Sequence, residues 1–324
     1  MEAAVEISYT APLRGAWQRM QAMLFRPFHI ERWLVVGFAA FLANMFNSGG
    51  GLFSWNKGFG SHHDTLPQVG DQLQGLRDHV LTLLEKPLVL LVIAIGLVVF
   101  GIMLLVFAWA SARAQFVFLD NVATGRGEFV APWRRYGRLG RSLFLWYAAF
   151  SFAWLLPIGV AAYPFGNALA GVLRGEGWVS PPLAVMILGG AAAAVLVLLL
   201  TFVSFLMRQF VVPLMFRHGE NATQAWARFG PLLSAHPGEF VAYALFVMVV
   251  WLGVAVAVLV AGVVTCCIGL ALMLVPYVGT VLLLPIEITA RAYGPTFLAQ
   301  FGPEWDVFAA HAPRTDEPVA PLLG

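Results

Sequence analysis

The 324-residue chain is too apolar, and too poor in charged residues, to be a soluble domain. Hydrophobic residues make up 60% of it and charged residues 11%, whereas soluble domains carry about 25% charged residues. The only cysteines, Cys266 and Cys267, are adjacent, which excludes a disulfide framework and predicts two inert buried thiols. We therefore expect an all-α, polytopic membrane protein.

Five apolar runs are predicted to provide six membrane spans, because a spanning helix needs about 20 apolar residues. The first run, 33–46, is the weakest: it is short, extended by the residues before it, or covered in part by protein. The next three runs contain no charge and have the expected length. The last uncharged run, 240–286, is long enough for two spans, with a turn expected near 262–269. The runs are 33–46, 88–110, 143–165, 183–207 and 240–286.

The distribution of basic residues predicts that both termini are cytoplasmic. With the N-terminus inside, the inner segments hold 15 lysines and arginines and the outer segments hold 4, which together are the 19 of the chain. An excess of lysine and arginine marks cytoplasmic loops. The predicted location is the prokaryotic cytoplasmic (inner) membrane.

A similar short phrase precedes each odd-numbered span. "WRRYGRL" at 133–139 and "WARFGPL" at 226–232 align Trp133 with Trp226, and "WQRMQAM" at 17–23 is a weaker third copy. Apolar residues around Trp17 and Trp226 recur at offsets that place them on one helical face. Each phrase therefore predicts an amphipathic helix, and Asn221 with Gln224 predicts a capping box for the third copy.

An arginine follows each even-numbered span, in "SARAQ", "LMRQF" and "TARAY": Arg113, Arg208 and Arg291. The repeating unit is an amphipathic helix, a span, an outer turn, a span and a boundary arginine. We expect one membrane domain, 1–324, of three tandem hairpins at about 12–120, 128–215 and 221–300. The cytoplasmic tail, 301–324, is expected to be partly disordered.

Two compatible roles suit the three amphipathic helices. They are elbows that join one hairpin to the next, or they lie in the inner membrane interface, where tryptophan is favoured and arginine meets anionic headgroups. The interface residues in this hypothesis are Trp17, Arg19, Trp133, Arg134, Arg135, Arg138, Arg141, Trp226 and Arg228.

Glu287 is the only acidic residue inside an apolar run. An acid within the membrane is a candidate functional site, so Glu287 could bind a proton or a ligand. The structural alternative is an ion pair with Arg291, four residues on and on the same helical face, or with Arg113 or Arg208.

The first outer loop contains His62, His63, Asp64 and His79. Their spacing does not repeat as zinc ligands do, so we interpret them as solvated loop residues and expect no metal or cofactor. Within residues 66–85, apolar residues recur at spacings of three and four, which predicts an outer amphipathic helix. It lies on the membrane or caps the bundle, or alternatively pairs with a partner helix.

Three stretches resemble a known class of protein: "LFRPFHIERWLVVGFAAFLA" (24–43), 211–240 and "FLAQFGPEWDVF" (297–308). They look like uncharacterised prokaryotic six-helix integral membrane proteins, which are distantly similar to the membrane domain of glycerophosphodiester phosphodiesterases. The resemblance covers nearly the whole chain and is topological. It implies no activity and no catalytic residue, because no soluble stretch is long enough for the catalytic barrel of that relative.

The sequence contains no nucleophile triad, metal cluster or paired intramembrane carboxylates. We therefore expect a non-enzymatic protein that interacts with membrane lipids, or scaffolds a membrane complex with a protein partner or a second copy. A transporter for a lipidic or hydrophobic solute is the second hypothesis, and a membrane-embedded enzyme is the third. Nucleic acid is not an expected partner, because no reader module is present.

Overall fold

The computed structural model describes residues 7–26, 28–45, 86–173, 181–265 and 275–309. Within these ranges the chain is almost wholly helical and forms no strand, which confirms the all-α fold. A π-helical segment, Met207–Val211, joins α7 to α8, and 3-10 turns at Ala299–Phe301 and Pro303–Trp305 follow α12. The α-helices are α1 (Thr10–Phe25), α2 (Ile30–Asn44), α3 (Pro87–Thr124), α4 (Val130–Arg135), α5 (Gly137–Ala153), α6 (Leu155–Leu173), α7 (Leu183–Leu206), α8 (Val212–His218), α9 (Ala222–Ala235), α10 (Pro237–Val264), α11 (Pro276–Leu282) and α12 (Leu284–Leu298).

Four helical stretches of the described chain are long and apolar enough to cross a membrane: Pro87–Thr124, Gly137–Gly166, Leu183–His218 and Pro237–Val264. They coincide with the second to fifth predicted spans. These helices identify a membrane-embedded protein. The first and sixth predicted spans fall on the shorter helices α2, α11 and α12, and six spans remain a prediction.

Protein covers much of α2, the helix of the first predicted span. Its 15 residues extend about 22 Å, which is less than the roughly 30 Å apolar core of a bilayer. α2 packs between α3 and α11, and a Cβ placed on Gly37 would lie 2.8 Å from Cγ2 of Val281. Small residues permit such close helix contacts in membranes. α2 begins at Ile30, three residues before the predicted run, and it is short and partly covered by protein; whether it crosses the membrane stays a prediction.

Burial divides the molecule into a packed base and apolar helices that extend from it. The buried residues of α3 begin at Ser111, whereas the large apolar residues before that point are exposed. The base is rich in aromatic residues, among them Phe116, Phe210, Phe229 and Phe297, each with no exposed surface. The exposed apolar surface of the projecting helices is far larger than a soluble protein tolerates, so lipid is expected to cover it.

The segments predicted to be elbows contribute to the packed base. The predicted capping box is confirmed at the start of α9, where the backbone N–H of Asn221 donates to Oε1 of Gln224 at 3.0 Å. Phe229 of α9 and Met20 of α1 are buried in the core. The second elbow is a shorter helix, α4, followed by a turn at Tyr136.

A glycine ends each of the three segments that follow a boundary arginine. Gly125, Gly219 and Gly302 have φ values of 70°, 67° and 132°, and they lie 12, 11 and 11 residues after Arg113, Arg208 and Arg291. Positive φ at a helix end favours glycine, which has no Cβ to clash. The spacing agrees with the sequence pattern from which the repeat was predicted.

Several predictions fall outside the described residues. These are the outer-loop residues His62, His63, Asp64 and His79, the helix at 66–85, the two cysteines and the tail beyond residue 309. In the described part of the chain, no three His, Cys, Asp or Glu side chains lie close enough to bind one metal ion. Tail residues 301–309 pack against the base, and Val307 and Phe308 are buried there.

Candidate functional site

A crevice of about 800 Å³ lies between α7, α10 and α12. This volume is within the range of small-molecule sites, roughly 300–1,000 Å³. Most of its wall is apolar, formed by Leu198, Leu199, Phe202, Phe205, Val241, Leu245, Met248 and Trp251. Because Leu198 is 71% and Leu245 55% exposed, the crevice opens on the exposed apolar surface that lipid is expected to cover.

One end of this crevice is polar and charged. The π-helical segment contributes Arg208 and Gln209, and α12 contributes Glu287 and Arg291. A π-helical turn within an α-helix is a rare feature that is frequent at functional sites. Arg208 and Arg291, two of the arginines predicted to close hairpins, therefore line this end together with Glu287, the predicted intramembrane acid.

Asn44, the last residue of α2, links two of these charged groups. Its Nδ2 donates a hydrogen bond of 2.9 Å to Oε2 of Glu287. Its Oδ1 accepts a hydrogen bond from Nη2 of Arg208. The amide therefore connects α2, the π-helical segment and α12, and it orients the Glu287 carboxylate beside the arginine.

Arg291 is almost wholly buried, with 7% of its surface exposed. Its Nη1 donates to the backbone carbonyl of Arg208 and its Nη2 to that of Gln115, each at 3.2 Å. Among the described residues, no acceptor lies within hydrogen-bonding distance of its Nε. Arg291 thus joins α12 to both α3 and the π-helical segment through two neutral carbonyl groups.

Gly294 permits the close approach of α12 to the π-helical segment. A Cβ at this position would lie 2.3 Å from the carbonyl oxygen of Gln209 and 2.8 Å from its Oε1. Real Cβ atoms do not approach other atoms so closely, so any side chain would push the two segments apart. The bond between Arg291 and the Arg208 carbonyl depends on the same approach.

Arg113, the first boundary arginine, lies away from the crevice and binds the second elbow. Its Nε donates to the carbonyl of Trp133 at 2.6 Å. Its guanidinium carbon lies 4.8 Å from the ring centroid of Trp133 and 5.5 Å from that of Trp109, so both contacts are cation–π. The three boundary arginines thus have different partners, although they occupy matching positions in the sequence.

A second crevice, of about 490 Å³, lies between α1, α10 and α12. Its lining includes Trp17, which is 46% exposed although the sequence places it on the apolar face of the elbow. The two crevices lie on either side of α10 and share the lining residues Gln209, Val247, Trp251 and Ala290. The third predicted hairpin is therefore open along part of its length.

Most of the elbow arginines are exposed, and some of them also have protein partners. Arg134, Arg135, Arg138 and Arg141 are exposed, and Nη2 of Arg138 also donates to the carbonyl of Gly219 at 2.9 Å. Trp133 and Trp226 are half-buried against the core. The exposed arginines have the accessibility that a headgroup contact requires, and that role stays a prediction.

Arg19 and Arg228 have protein partners of their own. The guanidinium of Arg19 lies 3.9 Å from the ring centroid of Phe308 and donates to the carbonyl of Ala123 at 3.3 Å. Burial lowers the pKa of Arg19. Arg228 forms an ion pair with Glu220, and this hydrogen bond lowers the pKa of Glu220 and raises that of Arg228.

The sequence profile of a family of unknown function matches residues 9–303, which is most of the chain. The chain belongs to this family, DUF7544. No curated protein and no solved structure matches it. DUF7544 membership agrees with the expected resemblance to uncharacterised membrane proteins, while the distant similarity to the phosphodiesterase membrane domain stays a prediction.

Sequence reasoning identified Arg208, Glu287 and Arg291 as candidates but missed Gln115 and Gln209. Gln209 directly follows the boundary arginine Arg208 within an apolar stretch, and this pair of adjacent polar residues could have identified it as a candidate. Gln115 takes part through its backbone carbonyl, which carries no sequence signal. Asn44 was expected only as a polar residue that could line the cavity of a transporter.

Proposed function

We propose that this DUF7544 protein is a non-enzymatic membrane protein that binds a lipid in the crevice between α7, α10 and α12. The observation that carries the proposal is the combination of an apolar wall, exposed toward the membrane, with a charged end. A lipid has the same two parts, since an acyl chain would pack against the wall and a polar headgroup would meet the charged residues. Within the membrane, close packing and polar contacts favour such binding.

The proposed architecture has six spans in three tandem hairpins, with both termini cytoplasmic in a prokaryotic inner membrane. Close packing of α2 on α3 and of α6 on α7 supports the first two hairpins. The matching distances from each boundary arginine to a positive-φ glycine support a threefold unit. In this arrangement the charged end of the crevice lies near the cytoplasmic boundary.

A carrier of a lipidic or hydrophobic solute is the second candidate, and one observation favours it. The two crevices share four lining residues, two of which belong to α10, so a small outward movement of α10 would join them. A polar solute is less suited to this path. Asn44 is engaged by Glu287 and Arg208, and Oγ of Ser204 donates to the carbonyl of Leu200 at 2.9 Å.

Native mass spectrometry of the protein extracted with its lipids tests lipid binding. Leu245→Trp places a larger side chain in the crevice, while Leu252→Trp makes the same change on the same helix at a 66% exposed residue outside the crevice lining. We expect Leu245→Trp to reduce retained lipid about tenfold and Leu252→Trp to leave it unchanged. Equal retention by both variants would refute binding in the crevice.

A further inference from the structure

We infer that the lipid bound in the crevice has an anionic headgroup, whose phosphate or carboxylate oxygens face the guanidinium groups of Arg208 and Arg291. The inference rests on the proposed lipid binding and adds the chemical class of the ligand. Three observations support it: the net charge of the charged end, the hydrogen bonding of Arg291, and the length of the apolar wall.

The charged end of the crevice is positive. Three of its lining residues carry charge, and two of these, Arg208 and Arg291, are basic, whereas one, Glu287, is acidic. Charges next to apolar surroundings interact more strongly than in water, and an uncompensated charge there is costly. A ligand with one negative charge would balance the site, whereas a neutral ligand would leave one positive charge in excess.

Arg291 adds to this imbalance because its hydrogen-bond partners are neutral. Both of its Nη groups donate to backbone carbonyls, and its Nε lacks an acceptor among the described residues. A buried donor without a partner costs free energy. An anionic oxygen beside Arg208, which lines the crevice and is only half-buried, would provide the counter-charge that the carbonyls do not.

The length of the apolar wall suits an acyl chain in one leaflet. Leu198 lies ten residues before Arg208 on nearly continuous helix, a distance of about 15 Å at 1.5 Å per residue. This is about half of the roughly 30 Å apolar core of a bilayer. With the predicted orientation, the headgroup belongs to the cytoplasmic leaflet, where anionic lipids create a negative surface potential.

The test offers purified protein an equimolar mixture of phosphatidylglycerol and phosphatidylcholine with the same acyl chains, in a non-ionic detergent, and measures bound lipid by native mass spectrometry. We expect the wild type to retain about tenfold more phosphatidylglycerol. Arg208→Gln should abolish the preference while some lipid of both kinds still binds. Arg126→Gln removes an exposed loop arginine and should leave the preference unchanged.

Two further arms keep the inference testable if Arg208→Gln does not fold. Glu287→Gln removes the competing carboxylate and should increase the preference for phosphatidylglycerol. Inorganic phosphate in large excess should leave the lipid bound; displacement by phosphate alone would instead identify a site for the free anion. Equal retention of the two lipids by the wild type would overturn the inference and leave lipid binding standing. If Leu245→Trp displaced no lipid of either kind, the proposed function itself would be refuted.

Discussion

Nη1 of Arg291 donates a hydrogen bond of 3.2 Å to the backbone carbonyl oxygen of Arg208. The guanidinium group of one boundary arginine is thereby bound to the main chain of another, at the point where the helix that carries Arg208 becomes π-helical. The contact joins α12 to the π-helical segment beside the crevice. The stability of the base and the shape of the crevice therefore depend on the same few residues.

Arg291→Gln should lower the melting temperature of the protein in detergent. The shorter side chain cannot reach the carbonyls of Arg208 and Gln115 together, and losing a hydrogen bond from a charged donor costs about 1.5–3 kcal/mol. Differential scanning fluorimetry measures the effect, with Arg126→Gln as a matched control on an exposed loop. A melting temperature equal to that of the wild type would show that the two bonds contribute nothing to folding.

Glu287→Gln should also lower the melting temperature, by roughly 1–3 kcal/mol of unfolding free energy. Glutamine keeps an oxygen that can accept from Asn44, but it removes the negative charge beside two arginines. This result would support a structural role for the carboxylate. An unchanged melting temperature combined with altered lipid binding would mean that Glu287 serves the ligand and not the fold.

Gly294→Ala should destabilise the protein by about 1–3 kcal/mol, the usual cost of overpacking. The new methyl group would lie 2.3 Å from the carbonyl oxygen of Gln209, so α12 must move away from the π-helical segment. Gly253→Ala is the matched control, because a Cβ there meets no other atom within 4 Å. Thermal unfolding in detergent measures both variants. Equal melting temperatures would contradict the close approach of α12 to the π-helical segment.

Tyr136→Phe should lower the stability of the packed base of the molecule, and it should make that stability less sensitive to alkaline pH. The Tyr136 hydroxyl donates to Oδ1 of Asp120 at 2.6 Å, and both residues are buried. Without the donor, a buried carboxylate oxygen loses its partner, at a cost of about 1–3 kcal/mol.

The pH effect follows from the pKa of Tyr136, which burial raises and the hydrogen bond to Asp120 raises further. Below the unfolded-state pKa of about 10, both states keep the proton and the contribution to stability is complete. Above it, the unfolded state ionises first, so stability falls as pH rises toward the folded-state pKa. Melting temperatures from pH 8 to 11 should fall less steeply for Tyr136→Phe than for the wild type; parallel curves would contradict the assignment.

Four of the spans and the cap of α9 could be predicted from the sequence, because each depends on a local pattern. Length and hydropathy alone predict Pro237–Val264 as a span, and the capping box needs only Asn221 and Gln224, three residues apart at the start of the helix. The three boundary arginines were recognised in the same way. Local patterns predict spans well because every spanning helix must satisfy its backbone hydrogen bonds within the apolar layer of the bilayer.

The partners of those arginines could not be predicted, because they depend on how the helices pack. Arg113 contacts Trp133, whereas Arg291 contacts the main chain of two other helices, and the repeat pattern makes the two positions look alike. Likewise, the packing of Arg19 on Phe308 joins positions near opposite ends of the chain. Arg291 and Gly294 contact main-chain carbonyl groups of other helices. Every residue has such a carbonyl, so the sequence does not show which residue will be the partner.

Photo-crosslinking in intact membranes tests lipid binding in the crevice most directly. The probe is a phospholipid with a diazirine within its acyl chain, and the adducts are mapped by peptide mass spectrometry. We predict that adducts concentrate at residues 198–205 and 241–251, which line the crevice, and exceed those on residues 88–109, which are also apolar and exposed. Adducts spread over all of these segments in proportion to their exposed area would contradict a bound lipid.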